Sequence, residues 1–264
     1  MNIAVCIKQV PATESKIKPT PDGKDIDRTG LSYVVNPYDE FGIEEALKIK
    51  EQFGGGTITA ISIGQEKTAE ALRTCLALGV DQAIHIKDAA LAGSDAHAIA
   101  RILTAVLQKE HYDLIFFGKQ AIDDDGGAVG IHVAEMMHLP HVAAINKLEI
   151  IAEEKRAVAH RQIEGGTEVI DVPLPAVFTC QKELNEPRYA SLPGIMKAKQ
   201  KPLAVLTLAD LGIAADSVGS AHAKITIDQI TAPPVRMSGK IIEGNAAEAV
   251  STLVKLLREE AKIL

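Results

Sequence analysis

The sequence predicts an α/β protein of three layers, with helices on both faces of a mostly parallel sheet. Three observations carry that prediction. The chain up to Pro140 repeats a short apolar strand pattern followed by a helical stripe. Its most distinctive turn, DLIFFGKQAIDDDGGAVGIHVAE from Asp113 to Glu135, joins such a strand to such a helix through a polar, glycine-bearing segment. Beyond Pro140 the pattern shortens into strand-like runs, which predict antiparallel additions to the sheet. With 264 residues, 47% of them hydrophobic, the chain can bury a sizeable core.

The elements follow in order. Ile3 to Ile7 reads as a buried strand. Pro37 to Glu51 reads as a helix with Asn36 as N-cap, Pro37 at the first helical position, and Ile43, Ala46 and Leu47 inward. Thr57 to Ile63 is the next strand, and Lys67 to Leu78 a helix ended by Gly79. Gln82 to Lys87 is a third strand, after which Ser94 and Asp95 open a helix with Ile99, Ile102, Leu103, Val106 and Leu107 in one stripe. Leu114 to Phe117 is the fourth strand, and Val129, Val133, Met136 and Met137 form one face of the helix after it.

Val142 to Ile151, Arg156 to Ile163 and Thr167 to Val172 predict a meander, and Pro175 to Thr179 a further strand. Leu184 to Lys201 holds two prolines and a glycine without a clean period, so it reads as a long loop. Ala214 to Gly244 is rich in small and polar residues, and an amphipathic helix from about Ala246 carries Val250, Leu253 and Leu257 on one face. These patterns divide the chain into an α/β domain over 1–213, including the 184–201 loop, and a C-terminal arm and helix over 214–264. The final helix is suited to pack on a partner or to fold back on its own domain.

Composition narrows the function. The formal net charge of -7 argues against nucleic-acid binding, since only Lys197, Lys199 and Lys201 make a local basic cluster. Cys6, Cys75 and Cys180 are far apart, with no CxxC pair to suggest zinc or disulfides, and a reducing cytoplasmic setting fits. No apolar run is long enough to insert in a membrane. His85, His97, His132, His138 and His141 form no metal or catalytic pattern, and His132 and His138 read as surface residues.

The turn after Phe117 carries the chemistry. In an open α/β sheet, ligands sit beyond the carboxyl ends of strands, and the N–H groups that open the next helix attract phosphate. Gly126, Gly127 and Ala128 are small enough for that approach. Asp123, Asp124 and Asp125 also suit a simple helix cap, and both readings stand at this point. The absence of a P-loop pattern between Gly118 and Gly130 speaks against an ATP-using enzyme. A regulatory protein that senses AMP or ATP in the crevice remains compatible.

Four segments in order, IKQVP near the start, NPYDEFGIEEALKIKE, GKQAIDDD and LNEPRYASLPGIMKAKQK, resemble the beta, or small, subunit of electron transfer flavoprotein over roughly the first 210 residues. The resemblance implies a Rossmann-like fold of the adenine nucleotide hydrolase-like type and a heterodimer with a larger alpha subunit, on which the 214–264 arm would pack. It also implies one FAD held mainly by that subunit and electron transfer from acyl-CoA-type dehydrogenases, as in fatty acid oxidation, to a quinone reductase. That makes the chain an electron carrier rather than a catalyst.

Carried over by position, the nucleotide contacts fall at Cys6, at Asn36, Pro37, Tyr38 and Asp39, and at the strand end Ala60, Ile61, Ser62 and Ile63. The remainder fall at Gly118, Lys119, Gln120, Ala121 and Ile122, then Asp123, Asp124 and Asp125, then Gly126, Gly127, Ala128 and Val129. Asp124 is expected to accept from ribose hydroxyls. The phosphate is expected on the N–H groups from Gly127 to Val129. Tyr38 stands where the family presents an aromatic ring to the flavin, and Thr13 where some members have a tyrosine.

Members that hold AMP typically carry Asn, Gln and Thr in place of Gly127, Ala128 and Val129, so side-chain phosphate donors are missing here. The electron-bifurcating branch, with a second FAD in the beta subunit, typically reads AIDGDTAQVGP. This chain shares its Val129-Gly130 pair but has Asp124 for its glycine. Asn185-Glu186-Pro187 and Leu192-Pro193 resemble the non-bifurcating members, which favours AMP with one FAD. The 184–201 loop resembles the family's recognition loop for dehydrogenases, with Leu192 as anchor and Leu184, Tyr189, Pro193, Ile195, Met196 and Lys197 around it.

Overall fold

The computed structural model describes residues 1–235 and 239–264, so residues 236–238 of the expected arm lie outside the described residues. These fall into two compact units, Met1–Ile17 with Asp27–Asp228, and Lys18–Ile26 with Gln229–Leu264.

In the larger unit the strands are β1 (Asn2–Cys6), β2 (Gln9–Pro11), β3 (Tyr33–Val35), β4 (Thr57–Ile63), β5 (Gln82–Ile86) and β6 (Leu114–Gly118). They continue with β7 (His141–Ile151), β8 (Arg156–Ile163), β9 (Gly166–Pro173), β10 (Ala176–Cys180) and β11 (Leu203–Leu206). The helices are α1 (Pro37–Phe53), α2 (Thr68–Leu78), α3 (Ala96–Leu107), α4 (Val129–Met137) and α5 (Leu192–Ala198). Among the described residues, nine strands make one sheet in the order β11-β5-β4-β1-β6-β10-β7-β8-β9. From β11 to β7 all pairings are parallel, while β7, β8 and β9 pair antiparallel as the predicted meander.

The central strands are apolar on both faces because helices cover both. Ile3, Val5, Leu114, Phe116 and Phe178 pack toward Ile43, Leu47, Leu72 and Leu76 of α1 and α2. Their neighbours in the two-residue period, Ala4, Cys6, Ile115, Phe117 and Val177, pack toward Ile102, Leu103, Val106 and Val133 of α3 and α4. Phe116 and Phe178 meet across β6 and β10 with ring centroids 5.9 Å apart. Three cysteines are free and buried, and burial pushes each thiol up.

Several elements differ from the sequence reading. The 184–201 stretch is not a continuous loop: Ser191 accepts the Gly194 N–H at 3.1 Å and caps α5, with Pro193 in its first turn. Proline and glycine serve here as helix-start residues rather than as breakers. The three-residue strands β2 and β3 and the edge strand β11 were not expected, since runs so short show no readable period. His132 is half-buried, its ring edge-to-face with His97 at 6.2 Å, instead of lying at the surface.

In the smaller unit, Pro19 and Ile26 form a bridge, and the Ile230 N–H donates to the Gly23 carbonyl at 2.7 Å. It ends in α6 (Ala246–Glu259), where Asn245 and Glu248 form a reciprocal capping box. Val250, Leu253 and Val254 of that helix are exposed. Among the described residues no helix is long and apolar enough to cross a membrane.

Candidate functional site

The strand order reverses at β1. From it the chain steps outward through β4 to β5, then returns to place β6 on the opposite side. Helices that follow the two outward paths leave from opposite faces, so a crevice opens beyond the carboxyl ends of β1 and β6. There the structure has a cavity of about 310 Å³, lined from the ends of β1, β4 and β6 and from the first turns of α3 and α4.

Its floor is held by side chains of the first turn of α1. Asp39, 5% exposed, accepts the Lys8 N–H at 2.7 Å and the Gly118 N–H at 2.9 Å, tying the ends of β1 and β6 together. Burial raises its pKa to about 7, against the pull of these donors. Asn36 occupies the N-cap position but its side chain does not cap the helix. Its amide donates to Asp39 at 3.0 Å and to the Gln120 carbonyl at 2.9 Å, and its oxygen accepts the Ile122 N–H at 3.1 Å. Asn36 therefore acts as a template for the turn 84 positions away. Gly118 is required at the junction: a Cβ there would run into the Asp39 carboxylate and come within 2.8 Å of Tyr38 Cβ.

The acidic turn is organised around Lys8. Its ammonium lies 2.8 Å from Asp123 and 3.0 Å from Asp124. Burial lowers the Lys8 pKa, but these two carboxylates outweigh it and the net shift is upward, so Lys8 stays charged. Asp124 also accepts the Gly126 N–H at 2.9 Å, and that bond together with Lys8 holds its carboxyl below the usual range despite burial. Gln120 donates to Asp125 at 2.8 Å. None of the three acids caps α4, whose N-cap position is Ala128 with no side-chain bond. The ladder of α4 begins with the His132 N–H donating to the Ala128 carbonyl, so the N–H groups of Val129, Gly130 and Ile131 have no carbonyl within the helix. That donor set suits an anion.

Of the residues expected here, Cys6, Asn36, Asp39 and Ile63 line the cavity from β1, α1 and β4. Gly118, Gln120, Ala121, Asp124 and the run Gly126, Gly127, Ala128 and Val129 line it from the turn. Pro37, Tyr38, Lys119 and Ile122 stand outside its lining, as do Asp123 and Asp125. Ala60 and Ile61 are buried within β4, and the Ser62 hydroxyl donates to the Ile7 carbonyl at 2.8 Å. The sequence reading missed Lys8, although the residue just past a central strand is a natural candidate. It also missed the wall formed by Ser94, Asp95, Ile99 and Leu103. The signal for that wall was the start of α3 at the same edge of the sheet.

The 184–201 stretch is anchored at one end and open at the other. Arg188 pairs with Glu44 at 2.8 Å and with Glu51 at 2.6 Å, and these partners raise its pKa above the ordinary arginine value. Asn185 donates to Glu45 at 2.9 Å and to the Phe41 carbonyl at 3.0 Å. Leu184 is buried in the core, which corrects its placement among surface contacts. Beyond Arg188, Tyr189 is 98% exposed, Leu192 78% and Met196 73%, and Pro193, Ile195 and Lys197 are exposed beside them. Gly194 packs so closely on the Ala77 carbonyl of α2 that a Cβ would clash, which seats α5 on that helix.

A mostly parallel sheet covered on both faces, with an anion-suited crevice at its switch point, defines an α/β protein of Rossmann-like type. The electron transfer flavoprotein domain family matches residues 24–211. The chain is 43% identical to the electron transfer flavoprotein subunit beta of Bacillus subtilis, covering 100% of both chains. It is 37% identical to that of Methylophilus methylotrophus, covering 98% of each. It is also 37% identical to subunit CarD of the caffeyl-CoA reductase-Etf complex of Acetobacterium woodii, covering 98% of this chain and 99% of that one. The chain belongs to the electron transfer flavoprotein beta subunit family.

Proposed function

We propose that this chain is the electron-carrying, non-catalytic beta subunit of a heterodimeric electron transfer flavoprotein. It joins an alpha subunit that holds most of one FAD, and it binds AMP in its own crevice. The observation that carries the nucleotide reading is the convergence of three features in one cavity: the Asn36–Asp39 clamp, the unpaired N–H groups opening α4, and the apolar wall of Ile99, Leu103 and Phe117. An adenine ring suits that wall, and a phosphate suits the donors of α4. With no Asn, Gln or Thr at positions 127–129, backbone donors carry the phosphate contact.

Bound FAD supplies the redox chemistry, and the protein supplies docking, positioning and exclusion of water. The exposed apolar residues Leu192, Ile195 and Met196, with Tyr189, form the surface that meets an acyl-CoA-type dehydrogenase. Lys197 and Lys199 steer an acidic partner surface toward it. The exposed apolar face of α6 packs on the alpha subunit. The complex works in the cytoplasm and passes electrons to a quinone reductase.

The test is to co-express the chain with its alpha partner, denature the purified complex and quantify the released cofactors. One FAD and one AMP per heterodimer are expected. Two FAD and no AMP would replace this reading with a bifurcating complex, which the Val129-Gly130 pair also suits. An absence of flavin would leave a nucleotide-sensing protein.

A further inference from the structure

The charges lining the crevice are unequal. Asp39, Asp95 and Asp124 contribute carboxyl groups, and Lys8 is the only lysine or arginine among the described residues that line it. Asp95 is engaged at both oxygens, accepting the Ala98 N–H at 2.9 Å and the Lys224 N–H at 2.7 Å. Asp39 is likewise engaged by Lys8, Gly118 and Asn36. A phosphate entering this cavity meets several acids and one cation.

Lys8 is equipped to receive it. An ammonium has three N–H donors, and two of them go to Asp123 and Asp124. Those ion pairs fix the Nζ atom at the turn that leads into α4. The side chains of Gly127, Ala128 and Val129 offer no donor, so among the described residues lining the crevice Lys8 is the one positioned to add a cation to the backbone donors.

We propose that Lys8 sets the charge selectivity of the crevice: it secures a nucleoside monophosphate through its third donor, and the lack of a second cation disfavours nucleotides with more phosphates. This rests on the reading of the crevice as a nucleotide site. Each added phosphate brings further negative charge close to Asp95 and Asp124, with no second lysine or arginine among the described lining residues to offset it.

The experiment uses the purified complex with its alpha partner, freed of bound nucleotide by dialysis, and measures binding of adenosine, AMP and ATP to wild type, Lys8→Gln and Lys8→Arg. Wild type is expected to bind AMP more tightly than either adenosine or ATP. Lys8→Gln is expected to lose about tenfold to a hundredfold in AMP affinity, the scale of a lost charge-assisted hydrogen bond. It should bind adenosine within about twofold of wild type, and its AMP affinity should vary less with salt. Lys8→Arg is expected to restore the preference for AMP over adenosine. Retention of that preference in Lys8→Gln would overturn the proposal, as would an equal loss of adenosine and AMP, which marks a purely positional role in the turn. Equal binding of AMP and ATP by wild type would overturn the selectivity. If wild type binds none of the three, the nucleotide reading itself falls and this inference with it.

Discussion

Helix α1 serves two regions of opposite character. Its first turn locks the crevice: Asn36 and Asp39 tie the ends of β1 and β6 and the 120–122 backbone into one hydrogen-bonded unit. Its outer face holds the segment before α5 through Glu44, Glu45 and Glu51, yet the residues beyond Arg188 carry their apolar side chains into solvent. The crevice floor is thus ordered by polar bonds within the chain itself. The 189–197 surface keeps Tyr189, Leu192, Ile195 and Met196 in solvent although Gly194 seats α5 on α2. One helix thus frames the crevice and moors the exposed segment.

This comparison can be broken first at Gly118. Gly118→Ala forces a Cβ against Asp39 and Tyr38, and is expected to cost about 3 kcal/mol by overpacking. It should also empty the crevice of nucleotide. Denaturant unfolding and cofactor release from the complex check both effects, and an unperturbed variant would show that the floor yields easily.

Asp39→Asn should cost about 2 kcal/mol by leaving one backbone N–H facing an amide donor. Its pH dependence sharpens the test. Asp39 keeps its proton in the folded protein up to about 7, whereas the unfolded chain releases it near 3.8. Between those values the unfolded state binds fewer protons, so the residue's contribution to stability falls as pH rises through that window and levels off above it. Asparagine does not titrate. The deficit of the variant relative to wild type is therefore expected to be larger at pH 5 than at pH 8, measured by urea titration at both.

Arg188→Ala leaves the buried Glu44 carboxylate without its partner. Because Arg188 is itself about a third exposed, the cost is discounted to about 1–2 kcal/mol. Nucleotide content should stay at wild-type level, and loss of nucleotide would show that the two ends of α1 are coupled. At the smallest end, Leu192→Ala should change stability by less than about 0.5 kcal/mol while slowing reduction of the complex by a dehydrogenase at least about tenfold. A variant reduced at the wild-type rate would remove Leu192 from the docking surface.

Much of this organisation is legible in the sequence because its signals are local. The strands β1, β4 and β6 and the helices α1 to α4 appear in the two-residue and 3.6-residue periods, since each must bury one or both faces. The turn from Gly118 to Val129 stands out because small residues and polar groups stand side by side between an apolar strand and an amphipathic helix. Residues 191–194 carried a readable signal as well, a serine followed by proline and glycine at a helix start, but the prolines of that stretch resemble breakers when taken alone.

By itself, then, the sequence determined the alternation of elements, the family and the segment that forms the crevice, all properties of neighbouring residues. Only the tertiary structure decided that β10 inserts between β6 and β7, that Asn36 is a template rather than a cap, and that Lys8 sits on carboxylates 115 and 116 positions away. Those outcomes depend on which strand ends meet at the switch point of the sheet. Pairing between distant strands has no local period, so the contacts that complete the crevice exist only once the sheet has closed.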